Sequence, residues 1–320
     1  MVMGDYEQLA ARAFDEPFDT DVRDSMLVCA DALGQVNDPR GPLITMEHAL
    51  RDAEPRRAVE LRRAIQAHVL EHAPALLGGV ASLMTFKRAL SLEWRAGRIF
   101  GASIDARYLP QKAGISAAEL VQVFIKAPAA RSLRRLRVRL RCPAESIVAM
   151  LTKCKQPLPL EELELGRRVW PTQITSGNGN RDHTLLEKYP NLYYLGIDDE
   201  LHQLPLAKIP DVLLVDPPVA VQPRVLLGRA LTAFDAKLRA AAFQRVVALG
   251  VSASVYTRVL TVLAQPGVCA PQHELVDALA ALGPTRENLY TLAKLSSRPR
   301  YADEVRSAAG SACTRLRAAL

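Results

Sequence analysis

Two groups of residues have the types and the spacing that chemistry requires. The first is the string His68-x-x-Glu71-His72, in which two histidines lie four residues apart with a glutamate between them. On a helix these histidines would share one face and could bind one zinc ion, as in the inverted zinc peptidases that the string matches. Because no downstream acidic ligand is evident, the sequence favours a solvated helix face. A zinc-dependent hydrolase is therefore only the third functional hypothesis.

The second group is a cluster of arginines between residues 131 and 141. Residues 96–141 contain ten Lys and Arg against two Asp and Glu, in a chain with a net charge of +7. Clustered guanidinium groups can neutralise phosphates and release counterions, so a nucleic-acid-binding repeat protein is the second hypothesis. It would combine this cluster with basic residues of the predicted C-terminal helices. The residues concerned are Arg131, Arg134, Arg135, Arg137, Arg139 and Arg141, together with Arg239, Arg245 and Arg258.

Other catalytic patterns are weaker. The nucleophile pattern Gly-x-Ser-x-Gly is missing from the sequence, and Ser176–Asn180 lacks the Gly-Lys-Ser/Thr of a phosphate-binding loop, which favours a flexible insertion. The acidic string Asp198-Asp199-Glu200 could bind a cation, but a solvated turn is the simpler interpretation. We therefore predict a protein with no catalytic activity, no cofactor and no metal.

A leucine spacing indicates the elements that would position these residues. Leu133–Val138 and Leu160–Leu165 repeat the same pattern, and each predicts a short strand that needs neighbours on both sides to bury its apolar face. Three less regular copies begin at Ile99, Leu192 and Val212. Successive copies start 34, 27, 32 and 20 residues apart, within reach of a divergent leucine-rich array with insertions. The connecting helices are predicted at Ser116–Ala127 and Glu145–Thr152.

The same spacing assigns a direction to each side chain. If Leu136 and Val138 point into the coil, alternate residues point to the concave face of a parallel sheet. In-register strands would then pair arginines with acids of neighbouring copies. The predicted pairs are Arg135 with Glu162, Arg137 with Glu164, and Arg139 with Asp105. This pairing would neutralise much of the arginine cluster, which favours a protein partner over nucleic acid.

The register places an aromatic group on the same face. Arginine and aromatic side chains on a rigid sheet are common anchors for a protein partner, although Tyr193 or Tyr194 could instead pack under a loop or against the C-terminal helices. The first hypothesis is therefore a non-catalytic scaffold that binds a protein on the concave repeat surface. The predicted partner-binding residues are Arg135, Arg137, Glu162, Glu164, Tyr194 and Asp198.

Helices are predicted on both sides of the leucine-rich segment. The N-terminal ones cover Asp24–Leu33, Leu43–Leu50 and Arg56–Glu71, where apolar residues recur at helical spacing. The C-terminal ones are separated by Pro and Gly at their joints, and the first and last of them resemble second helices of HEAT repeats. The C-terminal helices are predicted at Leu238–Leu249, Ser252–Ala264, Gln272–Leu282, Arg286–Leu295 and Val305–Leu316.

A further resemblance covers about the first 105 residues. Val28–Leu33, Asp38-Pro39-Arg40-Gly41 and the helix from Leu43 through Glu47 resemble the bacterial repeat-companion domain, and Leu92–Ile99 resembles that family's entry into its first strand. This chain has Cys29 and Ala32 where the family usually has aromatic residues. The resemblance implies a helical module ahead of leucine-rich-like repeats, with no known catalytic role.

Together these patterns predict an α/β repeat protein with three parts. Residues 1–95 would form the helical module, 96–230 a leucine-rich-like solenoid with a short parallel sheet, and 231–320 a HEAT-like α-solenoid. The N-terminus does not resemble a secretory signal, and no apolar run approaches the roughly 20 residues that span a bilayer. Five scattered cysteines, odd in number, indicate reduced thiols. We therefore predict a cytoplasmic protein with no membrane partner.

Overall fold

The computed structural model describes residues 3–15, 20–51, 53–85, 89–109, 116–141, 143–167, 171, 173–175, 180–205 and 221–319. The chain is mixed α/β and divides into two compact units, Met1–Leu160 and Glu161–Leu320. This boundary lies within the predicted leucine-rich segment 96–230. The three-part division stays a prediction.

The first unit begins with helices that confirm the three N-terminal predictions. Each predicted span lies within an observed helix or coincides closely with it. The helices are α1 (Met3–Asp15), α2 (Thr20–Gln35), α3 (Arg40–Arg51), α4 (Pro55–Glu71) and α5 (Ala73–Leu77), followed by a 3₁₀ helix at Gly78–Thr85.

The end of α2 has a defined chemical cause. Asn37 adopts a left-handed conformation with φ 56°, which Asn tolerates better than most residues. Its N–H donates to the Gly34 carbonyl and that of Asp38 donates to the Leu33 carbonyl. This pair of bonds is a Schellman motif, which satisfies the last carbonyls of the helix.

The tetrapeptide that follows, Asp38 to Gly41, is held by several elements. The Asp38 carboxylate pairs with the Arg40 guanidinium, which also lies 4.8 Å from the ring centroid of Tyr6 in α1. The Pro39 carbonyl lies 2.7 Å from Nε2 of His68 in α4. A Cβ on Gly41 would lie 2.6 Å from the Ala30 carbonyl oxygen in α2, so α2 and α3 pack this closely only with glycine there.

The strands of the first unit begin with an antiparallel pair and then alternate with helices. The strands among its described residues are β1 (Leu90–Arg95), β2 (Arg98–Asp105) and β3 (Arg135–Arg139); β1 pairs antiparallel with β2, and β2 pairs parallel with β3. Between β2 and β3 lies α6 (Ala117–Lys126), and α7 (Glu145–Thr152) follows β3. A capping box formed by Ser116 and Glu119 starts α6, as the Ser-x-x-Glu spacing indicates.

The second unit continues this alternation. Its strands are β4 (Glu162–Gly166), β5 (Gln173–Thr175), β6 (Tyr194–Ile197) and β7 (Glu200–His202), and α8 (Asn180–Lys188) precedes β6. Strand β4 pairs parallel with β6, β6 pairs antiparallel with β7, and β7 pairs parallel with β5. Four of the five predicted leucine-type copies therefore contain a strand, and the fifth, at Val212, lies outside the described residues.

Helices complete the second unit and contain its main core. They run in sequence after the last strand and confirm the predicted helical spans. Their buried residues form one cluster that includes Phe243, Tyr256 and Leu279. The helices are α9 (Val221–Ala230), α10 (Ala236–Leu249), α11 (Thr257–Leu263), α12 (His273–Ala281), α13 (Arg286–Ser297) and α14 (Asp303–Ala318), with a 3₁₀ helix at Gly250–Tyr256 between α10 and α11.

One helical stretch has the length and apolar composition of a membrane span. Within the described residues, the helical run Ala236–Leu263 contains an 18-residue window with a mean hydropathy of 1.7. Half of this window is buried within the protein, and a core helix has the same composition. The expectation that the chain has no membrane partner stays a prediction.

Candidate functional site

The outward face of β3 carries the central arginines of the predicted cluster. Leu136 and Val138 are buried, whereas Arg135, Arg137 and Arg139 are partly exposed. Successive strand residues point to opposite sides of a sheet, so the side-chain directions predicted from the leucine spacing are confirmed for this copy. We call the surface formed by the outward residues of β1, β2 and β3 the open strand face.

Glu93 and Arg135 meet across a glycine on this face. The sheet register pairs Glu93 with Gly101, and Gly101 with Arg135. Because Gly101 has no side chain, the Glu93 carboxylate can extend over β2, and its Oε2 lies 2.9 Å from Nη1 of Arg135. A Cβ at Gly101 would come within 2.9 Å of that same oxygen. Gly101 therefore makes room for the ion pair.

Phe100 lies between two cations on the same face. It is the residue that the β1–β2 register skips, between Ile99 and Gly101, and such a bulge redirects a side chain. The guanidinium carbon of Arg95 lies 3.8 Å from the Phe100 ring centroid, and that of Arg135 lies 5.5 Å away. Phe100 packs against the buried cluster that includes Tyr6 and Ala10 but is only partly buried, so part of its surface stays accessible between the two guanidinium groups.

Asp105 forms ion pairs with Arg139 of β3 and with Arg107, which follows β2. It lies opposite Arg139 in the register, and its Oδ2 is 3.3 Å from Nη1 of Arg139 and 2.7 Å from Nη2 of Arg107. Burial alone would raise the pKa of Asp105, but hydrogen bonds from Arg107 and the nearby charge of Arg139 lower it overall. Arg141 donates to the Arg107 carbonyl at 2.7 Å. The predicted pairing of Asp105 with Arg139 is confirmed.

Three of the six predicted partner-binding residues are not exposed. Glu162 and Glu164 of β4 and Tyr194 of β6 are all buried, with Tyr194 only 1% exposed. Glu164 forms an ion pair with Arg258 of α11, whose guanidinium carbon lies 5.7 Å from the Tyr194 ring centroid. The expectation that these three side chains lie on an accessible face is therefore wrong, because C-terminal helices of the same unit cover them. For Tyr194 this is the second of the two alternatives that the sequence leaves open.

The neighbouring residues form a buried polar network. The Tyr193 hydroxyl lies 2.7 Å from Oε1 of Glu162 and 3.0 Å from the Val255 carbonyl. Its ring packs edge-on against Tyr256, with the two centroids 5.8 Å apart. Burial raises the pKa of Tyr256, so its hydroxyl stays protonated and donates to the Arg224 carbonyl at 3.0 Å.

The third acid of β4's neighbourhood is paired as well. Glu161, which directly precedes β4, forms an ion pair with Arg224 of α9, and both side chains are largely buried. Each of the three acidic side chains at the start of β4 therefore binds a different side chain within the second unit: Glu161 binds Arg224, Glu162 binds Tyr193 and Glu164 binds Arg258. We call this set of contacts the β4 acid clamp. Through these contacts, α9, the residue that precedes β6 and α11 are all bound to β4 or to the residue just before it.

Arg135, Arg137 and Asp198 keep an accessible surface. Asp198 is exposed and has φ 49° in the turn between β6 and β7, and its N–H donates to the Leu165 carbonyl at 2.7 Å. This is the solvated turn that the sequence favours. The predicted pairs of Arg135 with Glu162 and of Arg137 with Glu164 stay predictions.

The C-terminal arginines proposed for phosphate binding are buried or bonded within the protein. Arg258 and Arg245 are buried, and Arg258 is paired with Glu164. Arg239 is partly buried and donates to the carbonyls of Ala233 and Phe234. Because a phosphate contact requires an accessible cation, Arg245 and Arg258 do not add to a nucleic-acid surface. Arg239 keeps part of its surface, and its role in phosphate binding stays a prediction.

The histidine string lies at the end of α4. His68 is partly buried and its Nε2 is 2.7 Å from the Pro39 carbonyl oxygen, an arrangement in which the ring nitrogen donates. A zinc ion bound through this nitrogen would first have to break that bond. His72 packs on the His68 ring at 4.5 Å, and Glu71 is exposed.

A metal site would require several such ligands together. Among the residues that the structure describes, no group of three or more His, Cys, Asp and Glu side chains could hold a metal ion. The glycine-containing segment Ser176–Gly179 lies outside the described residues. The four cysteines whose state is described, Cys29, Cys154, Cys269 and Cys313, are free thiols.

No family model, curated protein or solved structure matches this chain. The resemblance of the first 105 residues to the repeat-companion domain therefore stays a prediction.

Sequence reasoning missed Phe100 and Glu93 on the open strand face. The leucine spacing assigns Ile99 and Ala102 to the interior but gives no indication that an extra residue between them turns outward. The local mismatch of Ile99-x-x-Ala102 with strict alternation is one signal of a bulge. Gly101 was a further signal, since glycine inside a strand often marks a bulge or a close approach.

Proposed function

We propose that this chain is a non-catalytic interaction module that binds a protein partner on the open strand face. We further propose that its strand–helix units are leucine-rich-like and that its C-terminal helices are HEAT-like. The alternation of β2, α6, β3 and α7, with alternate strand residues buried, supports the first assignment. Helices separated by short Pro- and Gly-containing joints support the second. The free thiols of the described cysteines support a cytoplasmic location.

The arrangement of Phe100, Arg95 and Arg135 is the observation that carries the proposal. Arginine and aromatic side chains are enriched at the energetic centres of protein interfaces. Here both guanidinium groups already contact the ring, so a partner would meet a preorganised surface and lose little side-chain entropy on binding. We therefore assign Phe100 and Arg95 to the surface in addition to Arg135 and Arg137.

The charge of this face favours a protein over a nucleic acid. Glu93 and Asp105 lie among the arginines and pair with Arg135 and Arg139. A phosphate backbone would be repelled by these carboxylates, and nucleic-acid affinity depends on unneutralised cations. A protein surface with both signs of charge can instead match each residue with its complement.

The test is affinity capture from a native extract in the presence of nuclease, with wild-type chain, Phe100→Ala and Arg137→Ala as baits. We expect a discrete protein that the wild-type chain retains and that both variants lose by about tenfold or more, which corresponds to roughly 1.4 kcal/mol. Arg315→Ala is the matched control, because Arg315 is exposed on α14.

The outcomes separate the hypotheses. Equal capture by all four baits would show that the open strand face does not bind the partner. Recovery of nucleic acid alone in the absence of nuclease, lost at moderate salt, would instead support the nucleic-acid hypothesis.

A further inference from the structure

The first unit has a groove between the helices α6 and α7. Its volume is about 1180 Å³, which exceeds the roughly 300–1,000 Å³ of small-molecule pockets. The groove is lined by the ends of both helices and by residues 153–158, which follow α7. Its size fits a polypeptide segment better than a metabolite.

The charge of the groove has one sign. Among the described residues, its lining includes four basic residues and no Asp or Glu. All four basic side chains belong to exposed residues. Cations that converge on one concave surface raise the local positive potential and attract anionic groups. The basic residues are Lys126, Arg131, Lys153 and Lys155.

The groove separates Arg131 from the other arginines of the cluster at residues 131–141. Arg131 lies in the groove, whereas Arg135, Arg137 and Arg139 lie on the open strand face. On the strand face, Glu93 and Asp105 partly neutralise the cations. In the groove, the described lining offers no such carboxylate.

The floor between the cations is apolar. Buried Ile125 and Leu158 and half-buried Met150 contribute to the lining, together with exposed Pro157. Methionine adapts its shape to different apolar partners. Aromatic side chains, on which single-stranded nucleic acids stack their bases, do not occur among the lining residues.

We propose that the α6–α7 groove binds an acidic polypeptide segment that also carries apolar side chains. Its carboxylates pair with Lys126, Arg131, Lys153 and Lys155, while its apolar side chains contact Met150, Leu158 and Pro157. The inference is independent of the open strand face, because it uses different residues on different elements.

The binding test uses a labelled peptide of roughly ten residues that mixes Glu and Leu. The comparison peptide has Gln in place of every Glu. Fluorescence anisotropy should show the Glu peptide binding at least about tenfold more tightly than the Gln peptide, with an affinity that falls as salt rises. Equal affinities for the two peptides would overturn the proposal.

Charge-reversal variants locate the site. We expect Lys153→Glu with Lys155→Glu to weaken the Glu peptide by about tenfold or more. Lys237→Glu with Arg317→Glu changes the net charge equally, and both of these residues are exposed outside the groove; this control should bind as the wild-type chain does. If both double variants lose affinity equally, the effect is one of net charge and the groove is not the site.

Cys154 gives a second, local readout. It lines the groove and is half-buried, so a bound segment should slow its alkylation by maleimide. The intact folded chain is labelled, and the alkylated fraction of each cysteine is measured by mass spectrometry of its peptides after digestion. Burial raises the pKa of Cys269 to about 11, which makes that thiol a slow internal reference. Unchanged alkylation of Cys154 at saturating peptide would contradict binding in the groove.

An oligonucleotide of similar length and charge separates the two classes of polyanion. We expect it to bind more weakly than the Glu peptide, because it cannot use the apolar floor. If the oligonucleotide binds as tightly and is lost in the Lys153→Glu, Lys155→Glu variant, the groove is a phosphate-binding surface and the proposal is wrong.

Discussion

The strand regions of the two units carry similar charged residues in opposite environments. In the first unit, the ion pair of Arg135 with Glu93 is partly exposed, and that of Arg139 with Asp105 is more covered but not buried. In the second unit, the pair of Glu164 with Arg258 is almost fully buried. Ion pairs between the same residue types therefore lie on an accessible face in one unit and connect a strand to a covering helix in the other.

The difference teaches that exposure, and not residue type, separates a binding surface from a structural contact. Surface ion pairs contribute little to stability because water screens them. Breaking a buried pair is costly, since the remaining charge has lost its hydration. Substitutions of buried charged and polar groups should therefore have large effects on folding, and substitutions of exposed ones should have small effects.

The largest effect should come from Glu164→Ala. This change leaves Arg258, which is 6% exposed, without its carboxylate, and such losses cost about 3–5 kcal/mol. Hydrogen exchange of peptides from 236–263 should accelerate accordingly. The double variant Glu164→Leu with Arg258→Met replaces the pair by apolar side chains and should recover most of the protection. Unchanged exchange in Glu164→Ala would show that the pair does not hold α11.

A buried carboxyl in the first unit gives the next effect and depends on pH. Oε1 of Glu47 is buried with no hydrogen-bond partner, and the Gly97 N–H lies 3.3 Å from Oε2. Burial raises the pKa of Glu47 from 4.5 to about 8, although the Gly97 N–H partly offsets this. The folded chain therefore keeps a proton that the unfolded chain releases.

The sign of the pH dependence follows from this difference. The stability that the protonated Glu47 provides is fully present below about pH 4.5 and is lost as pH rises towards 8, by at most about 1.4 kcal/mol per pH unit. Glu47→Gln should remove this slope. Urea unfolding followed by Trp94 fluorescence, in a Trp170→Phe background, measures it; parallel pH curves for the two chains would contradict the prediction.

A smaller loss is expected for Tyr193→Phe. The variant removes the hydroxyl that bonds Glu162 within the β4 acid clamp, and a buried hydrogen bond of this kind contributes about 1–2 kcal/mol. Differential scanning calorimetry should show a lower Tm. The matched control is Tyr290→Phe, because Tyr290 is 64% exposed. Equal Tm values for the two variants would show that the hydrogen bond between Tyr193 and Glu162 does not stabilise the fold.

The smallest effect on folding should follow Arg135→Ala. Its partner Glu93 is exposed, so the change should alter the free energy of unfolding by less than about 1 kcal/mol. Partner capture, by contrast, should decrease. A variant that unfolds readily would place Arg135 with the structural contacts and would remove it from the proposed binding surface.

The fold was largely predictable where local patterns decide it. Apolar periodicity located α2, α3 and α4, and the leucine spacing located β2, β3, β4 and β6. The predicted connecting helix Ser116–Ala127 coincides with α6. These features depend on residues close together in the sequence, so a single chain suffices to find them.

The site was less predictable because long-range packing decides it. Nothing local to Glu164 shows that Arg258, 94 residues later, would cover it. The alternation rule gave the correct direction for Arg135 and Arg137 but could not indicate which unit's strand face would be covered by helices. The same rule missed Phe100, since a bulge changes the alternation by one residue.

The tetrapeptide from Asp38 to Gly41 has a consequence for finding relatives of this chain. Three of its residues meet demands that depend on residue type: Asp38 and Arg40 form the salt bridge within the turn, Arg40 also lies over Tyr6, and Gly41 allows the close helix crossing. Such demands restrict substitution at these positions, whereas one leucine in a strand can be exchanged for another apolar residue. A search profile that weights these three residues together with Tyr6 should therefore retain its signal over greater evolutionary distance than the repeats.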